Sequence, residues 1–257
     1  MPAGLSFSTS TGLITGTPAE TKTATTYTIT ATNESGSTSN SYRLRITGDI
    51  GDTGPSGGKI FYYLPAGFNC GPTRAATCKY MEVTPSGWFS GVSGQEDPQR
   101  TWAQATPVNY QGTTVPGNGA TATAIGWGYR NTRAIIVQGN TDTATSAAAL
   151  ADSHTVTVSG VVYDDWYLPS KDELNQMCKW ARGITGVDLT TLTTGCAGGV
   201  VNTGSGAAGF FPTYYYRSSS EETATDAWDQ NFDAINGNTQ TSFLKSYAFH
   251  VRPVRAF

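Results

Sequence analysis

Apolar residues near the start of the chain recur two apart: Tyr27, Ile29 and Ala31 alternate with threonines in "YTITATNESG", and Gly, Pro and Asn punctuate each run. A period of two sends successive side chains to opposite faces of a strand, so residues 1–48 predict a small all-β module. The stretch "GDIGDTGPSGG" after it is too rich in glycine for a regular element and sets residues 49–57 as a linker. Residues 58–257 then predict a second domain in which the period changes. "KIFYY" reads as its opening strand and "RAIIVQG" as another apolar strand, whereas "TATSAAALADS" has the alanine density of a short helix.

The best-marked helix begins at "PSKDELNQMCKWARG". Ser170 stands three residues before Glu173, the spacing at which each side chain satisfies the other's backbone N–H. Leu174, Met177 or Cys178, and Ala181 follow on one face, and Gly183 supplies the C-terminal cap. From "FFPTYYY" onward the pattern is β to the end of the chain. Two helices among irregular loops, with strands at both ends of the domain, predict an α+β fold whose terminal strands pair.

Composition narrows the function. Charged residues make up 14% of the chain, against roughly 25% in an average soluble protein, and hydroxyl-bearing residues and glycine take their place. The formal net charge of -3 argues against a protein that tracks nucleic-acid phosphates. No apolar run has the length of a membrane span, and the Met1 end lacks the regions of a signal peptide. Four cysteines, Cys70, Cys78, Cys178 and Cys196, are disulfide candidates with three connectivities open. Without a CxxC, and with His154 and His250 far from any cysteine, no zinc site is expected.

Two resemblances sharpen this picture. "PAGLSFSTSTGLITGTP" followed by "YTITATNESG" resembles the immunoglobulin-like repeats of bacterial and archaeal surface proteins. Their usual opening is Leu-Pro-x-Gly-Leu, with Met1 here in place of the leucine, and a strand normally precedes it, so the chain is expected to continue something longer. In the second domain, "GDTGPSGGKIFYY", "CGPTRAATCKYMEV", "TAIGWGYRNTRAIIVQGN", "DDWYLPSKDELNQM", "SSSE", "AWDQNF" and "VRPVRAF" occur in order. Together they resemble the family of the C-terminal domain of a bacterial collagen-like adhesin. That resemblance implies a C-type lectin-like domain, with two helices and antiparallel sheets, used for recognition outside the cell or on a virion. Some members resemble the variable proteins of diversity-generating retroelements, in which adenines in a C-terminal segment are randomised.

The resemblance implies a variable segment at about 214–250. Asn codons of the form AAC or AAT can become Tyr, Ser, Asp, His, Phe, Arg, Thr or Ala, but not Lys, Glu, Gln, Met or Trp. Glu221, Trp228, Gln230, Gln240 and Lys245 therefore belong to a fixed frame. The expected ligand-facing positions are Tyr214, Arg217, Thr223, Thr225, Asp226, Asp229, Asn231, Asp233, Asn236, Asn238, Thr241, Phe243, Ser246, Tyr247 and His250. Period-two alternation in "DAWDQNFD" puts Trp228, Gln230 and Phe232 on a structural face, and Asp229, Asn231 and Asp233 on the face offered to solvent. Phe249, Val251, Val254 and Phe257 read as core anchors.

The expected function is therefore binding, not catalysis. Glu221 and Glu222 are neighbours on a strand and point to opposite faces, a poor general acid and base, and no nucleophile motif or GxGxxG occurs. Lectins of related fold hold calcium with Glu-Pro-Asn, Gln-Pro-Asp or Trp-Asn-Asp triplets, none of which is present. A structural calcium at Glu96 and Asp97 in "QEDPQ" is the one cofactor left open. The expected partner is a protein or glycan receptor on a host or neighbouring cell, met at a cell or virion surface without membrane insertion, with an oligomer left open. The alternative is a fixed-specificity adhesin for carbohydrate or glycosaminoglycan.

Overall fold

Alternation in the first module forms two antiparallel ladders. The computed structural model describes the chain except residues 3, 17–21, 47–49, 92–96, 107–108, 184–194, 197, 202–208, 211–214 and 234–238. Strand β1 (Leu5–Phe7) pairs with β2 (Ile14–Gly16), and β3 (Lys22–Asn33) pairs with β4 (Gly36–Ile46). Tyr27 and Tyr42 are register partners whose rings stack at 5.8 Å. On the other face the hydroxyls of Thr28 and Ser41, and of Thr30 and Ser39, bond across the ladder. Cross-strand pairs of these kinds each contribute about 0.2–1 kcal/mol.

The strands and α-helices of the remaining described residues are β5 (Lys59–Cys70), β6 (Ala76–Val83), β7 (Gln99–Thr101), α1 (Gly128–Val137), α2 (Ala147–Asp152), β8 (Val156–Val158), β9 (Val161–Tyr163), α3 (Lys171–Ala181), β10 (Tyr215–Glu221), β11 (Asp226–Asn231), β12 (Gln240–Leu244), β13 (Ala248–His250) and β14 (Val254–Ala256). One sheet runs β12-β11-β10-β13-β7 and a second runs β14-β6-β5. The glycine-rich stretch from Ile50 folds back along β5, with Gly51 N–H donating to Ile60 O and Ile60 N–H to Asp52 O. Both cysteine pairs are bridged locally, Cys70 to Cys78 and Cys178 to Cys196.

The expected fold class is corrected. Of the described residues 38% are strand and 14% helix, and the strands fall into five small sheets. The protein is mainly β, not an α+β C-type lectin-like fold. Alanine density and the capping box are real local signals, but they specify helices of about two to three turns, too short to form a layer of their own. Three α-helices are present among the described residues, where two are expected. The extra one, α1, contains the "RAIIV" run read as a strand: Ile135 is fully buried while Val137 is 82% exposed, which is the one-sided burial of a helix. The terminal strands share a sheet without pairing, because β6 lies between β14 and β5.

The capping box of α3 is present, with Glu173 N–H donating to Ser170 Oγ and Ser170 N–H donating to Glu173 Oε2 at 2.8 Å. Gly183 adopts φ 65° and its N–H donates to Trp180 O, closing the helix. The buried stripe of α3, including Leu174, Met177 and Ala181, packs against β5, β10 and β11. Phe61, Tyr62, Met81, Tyr216 and Phe232 complete that core. Burying each large side chain of this kind contributes about 1.5–3 kcal/mol. A second cluster, with Trp102 and Ile135, joins α1 to the far side of the five-stranded sheet, where Trp102 Nε1 donates to Ser218 O.

Candidate functional site

Register decides which side chains of the five-stranded sheet share a face. Tyr215 stands opposite Asn231, Arg217 opposite Asp229, Asp229 opposite Thr241, and Ala227 opposite Phe243. The pairing of Tyr216 with His250 turns Phe249 to the same side as Tyr215. This outer face carries a patch of four rings. Tyr215 meets Phe243 at 4.8 Å and Phe249 at 5.4 Å, Phe243 meets Phe249 at 5.3 Å, and Tyr247 completes the group 6.2 Å from Phe243. Tyr215, Phe243 and Phe249 are half-buried and Tyr247 is 50% exposed. Such a surface offers flat apolar area and phenolic hydroxyls at small cost in side-chain entropy.

Beneath the rings lies an ion pair. Arg217 Nη1 donates to Asp229 Oδ2 at 2.8 Å, with both side chains fully buried. Arg217 Nη2 donates to Tyr247 O and Leu244 O, and the guanidinium stands 4.7 Å from the Phe249 centroid. Arg217 Nε and Asp229 Oδ1 are buried without a hydrogen-bond partner. Burial pushes Asp229 up to about 8 against the opposing pull of Arg217.

At the hairpin end of the same sheet a second pair is fully bonded. Lys245 Nζ donates to Glu221 Oε1 at 2.6 Å, to Thr113 O and to Ala224 O, while Glu221 accepts the Val115 N–H. Both side chains have no exposure. Trp228, Gln230 and Gln240 lie on the inner face: Lys171 Nζ sits 3.4 Å from the Trp228 centroid, Gln230 Nε2 donates to Asn231 O, and Gln240 Nε2 donates to Lys171 O.

The solvent-facing placement expected of Arg217, Asp229, Asn231 and His250 is corrected, since all four are buried. The first three do lie on the outer face, but the β12–β13 turn and its rings cover Arg217 and Asp229, and Asn231 Oδ1 accepts the Asp233 N–H. His250 lies on the inner face. Its Nδ1 is 2.7 Å from Asp97 O, so that nitrogen carries the proton, and its ring packs against Tyr216. Thr223, Thr225 and Asp226 form the β10–β11 turn, where both threonine hydroxyls donate to Asp226 Oδ2. Lys245 N–H donates to Thr225 O, so this turn adjoins the exposed Ser246 and Tyr247. Thr241 is half-buried on the outer face, and Asp233 is half-buried beyond the end of β11. Tyr214, Asn236 and Asn238 lie outside the described residues.

Sequence reasoning missed Tyr215 and Phe249, the latter read as core. The signal was available: each is two residues from an outer-face neighbour, Arg217 and Tyr247, and alternation alone puts it beside them. Asp97, the calcium candidate, is committed to the protein, with Oδ1 accepting from Trp88 Nε1 and Oδ2 from Tyr216 OH and Arg252 Nε. Its companion Glu96 lies outside the described residues. Among the described residues no group of three or more His, Cys, Asp or Glu is placed to hold a metal.

Residues 1–47 match the family described as Putative Ig domain, which identifies the first module as Ig-like. Among curated proteins no match is found.

Proposed function

We propose that this protein is a non-enzymatic binding protein of the cell or virion surface, which presents the outer face of its five-stranded sheet to a protein or glycan receptor. The Ig-like module serves as its spacer, and the exposed residues of the face are diversified by a retroelement. One observation carries this reading: the four-ring patch and the residue types around it. Tyr215, Thr241, Phe243, Ser246, Tyr247 and Phe249 are all types reachable from an Asn codon by changing adenines. The unreachable types Trp228, Gln230 and Gln240 lie on the opposite face, and Glu221 with Lys245 forms a buried pair. Two disulfides and a weakly charged, hydroxyl-rich composition favour an oxidising, extracellular setting. Arg217 and Asp229 support the rings from below, so the changeable set is reduced to the outer-face side chains that reach solvent wholly or in part.

Sequencing the encoding locus and many sibling copies tests this. A neighbouring reverse transcriptase, a template copy differing at adenines, and substitutions concentrated at Tyr215, Thr241, Phe243, Ser246, Tyr247 and Phe249 are expected. Substitutions spread evenly over the domain, or striking Trp228, Gln230 and Lys245 as often, would sink the proposal. A locus with neither transcriptase nor template leaves an adhesin of fixed specificity, for which the same ring patch suits stacking on a sugar.

A further inference from the structure

Two stretches far apart in the chain, the disulfide loop "CGPTRAATC" and the turn "AIGWGYR", meet at one tryptophan. The guanidinium carbon of Arg74 lies 4.0 Å from the centroid of the Trp127 indole, and that of Arg130 lies 5.2 Å from it. Among the described residues, neither guanidinium has a hydrogen bond or ion pair with a protein group, and Arg74 Nε is buried with no partner. Each arginine's cationic side chain thus rests on a shared ring instead of on a carboxylate. Burial, and then the like charge of Arg130, hold the Arg74 guanidinium below its ordinary value.

Both sides of this arrangement are held rigidly. Arg74 takes a left-handed backbone conformation, φ 56°, within the loop closed by Cys70 and Cys78. Trp127 is fixed by its glycine neighbours: Gly126 and Gly128 N–H groups donate to Glu173 Oε1 at 2.7 and 3.4 Å. A Cβ on Gly126 would run into Asn69 O on β5, and one on Gly128 into Glu173, so only glycine allows the turn to seat this close. Glu173 is the acid whose charge reaches Arg74, but it is fully buried and its oxygens are taken by Ser170, Gly126 and Gly128 N–H groups. It cannot swing out to neutralise the arginines.

We propose that Arg74, Trp127 and Arg130 form a carboxylate-binding site, taking a sugar acid or a free organic acid. The planar guanidinium fork matches a carboxylate through two parallel N–H···O bonds. An indole face excludes water from one side of each cation, which strengthens charge-assisted bonds there. Because a disulfide loop and the Glu173-anchored turn fix the two halves beforehand, little ordering is left to offset binding. The site is separate from the ring patch of the five-stranded sheet and does not depend on its role.

The test uses the full chain, with tryptophan fluorescence followed during titration by sodium glucuronate, sodium acetate, glucose and sodium sulfate at constant ionic strength. Saturable binding of glucuronate, none of glucose, and a loss of about tenfold or more in affinity for both Arg74→Gln and Arg130→Gln are expected. Arg100→Gln, which removes an arginine lying over Phe89, should bind like the parent. Acetate binding alongside glucuronate identifies a general carboxylate site, and glucuronate alone a sugar-acid site. Absence of saturable binding, sulfate binding as well as glucuronate, or unchanged affinity in Arg130→Gln would overturn the assignment. Arg130 is exposed on α1, so that variant folds even if Arg74→Gln does not.

Discussion

The five-stranded sheet holds two buried ion pairs of nearly equal length that differ in how completely they are bonded. Lys245 and Glu221 draw in three backbone groups from the 113–115 segment and the β10–β11 turn. Arg217 and Asp229 make a single N–H···O bond to one another and leave a donor and an acceptor unpartnered. Removing two charges from water is offset only when the remaining lone pairs and protons are satisfied. The first pair therefore locks the hairpin end in place. The second chiefly orients the β12–β13 turn and the rings above it, through the bonds from Arg217 to Leu244 O and Tyr247 O.

The largest expected effect comes from breaking the complete pair. Lys245→Ala leaves Glu221 buried without its cation, and a loss of about 3–5 kcal/mol in unfolding free energy should appear in urea titration. Replacing both partners, Lys245→Met with Glu221→Leu, should restore little, because Val115 N–H, Thr113 O and Ala224 O still lose their partner. At the incomplete pair the recovery should be larger. Arg217→Leu should cost only about 1–3 kcal/mol, since Asp229 can take a proton, and the double variant with Asp229→Leu should recover the part due to the unpaired acid, while the bonds to Leu244 O and Tyr247 O stay lost. Equal costs at the two sites, or equal recovery, would erase the distinction.

A smaller effect is read from pH. Burial raises Glu173 to about 7 and Asp229 to about 8, against ordinary values of 4.5 and 3.8. Raised carboxylates favour the protonated folded state, so their stabilisation is complete below the ordinary values and declines as pH rises towards 8. The thermal midpoint should fall between pH 5 and pH 8.5, and Asp229→Asn should flatten the upper part of that fall. A midpoint that rises over this window would contradict the sign.

Legibility followed the range of the interactions involved. The capping box of α3 and the β character of the first module were readable because a cap lies within a few residues and alternation is written along a single strand. "RAIIV" misled because four apolar residues fit either period, and the helix is fixed by tertiary bonds, including one from Thr132 Oγ1 to Leu168 O. In the candidate site, alternation placed Asp229 and Asn231 on the right face of β11. It could not show that a turn from β12 to β13 would cover Asp229, or that Asn231 would accept the Asp233 N–H. His250 was misplaced because its partner, Asp97 O, comes from a distant loop. The fold class failed for the same reason: sheet membership is set by pairings between segments that local sequence does not specify.

The edge strand β7 has a kinetic meaning. Gln99 bonds to His250, 151 residues away, and β13 is held on one side by β7 and on the other by β10. Closing a loop of that length costs entropy before any ladder bond compensates for it, and contacts of such separation slow folding. The edge of the sheet beside β13 is therefore closed late, after the chain from Gln99 onward has found its place. Chains halted partway would carry the Ig-like module with the five-stranded sheet still open at its β7 edge.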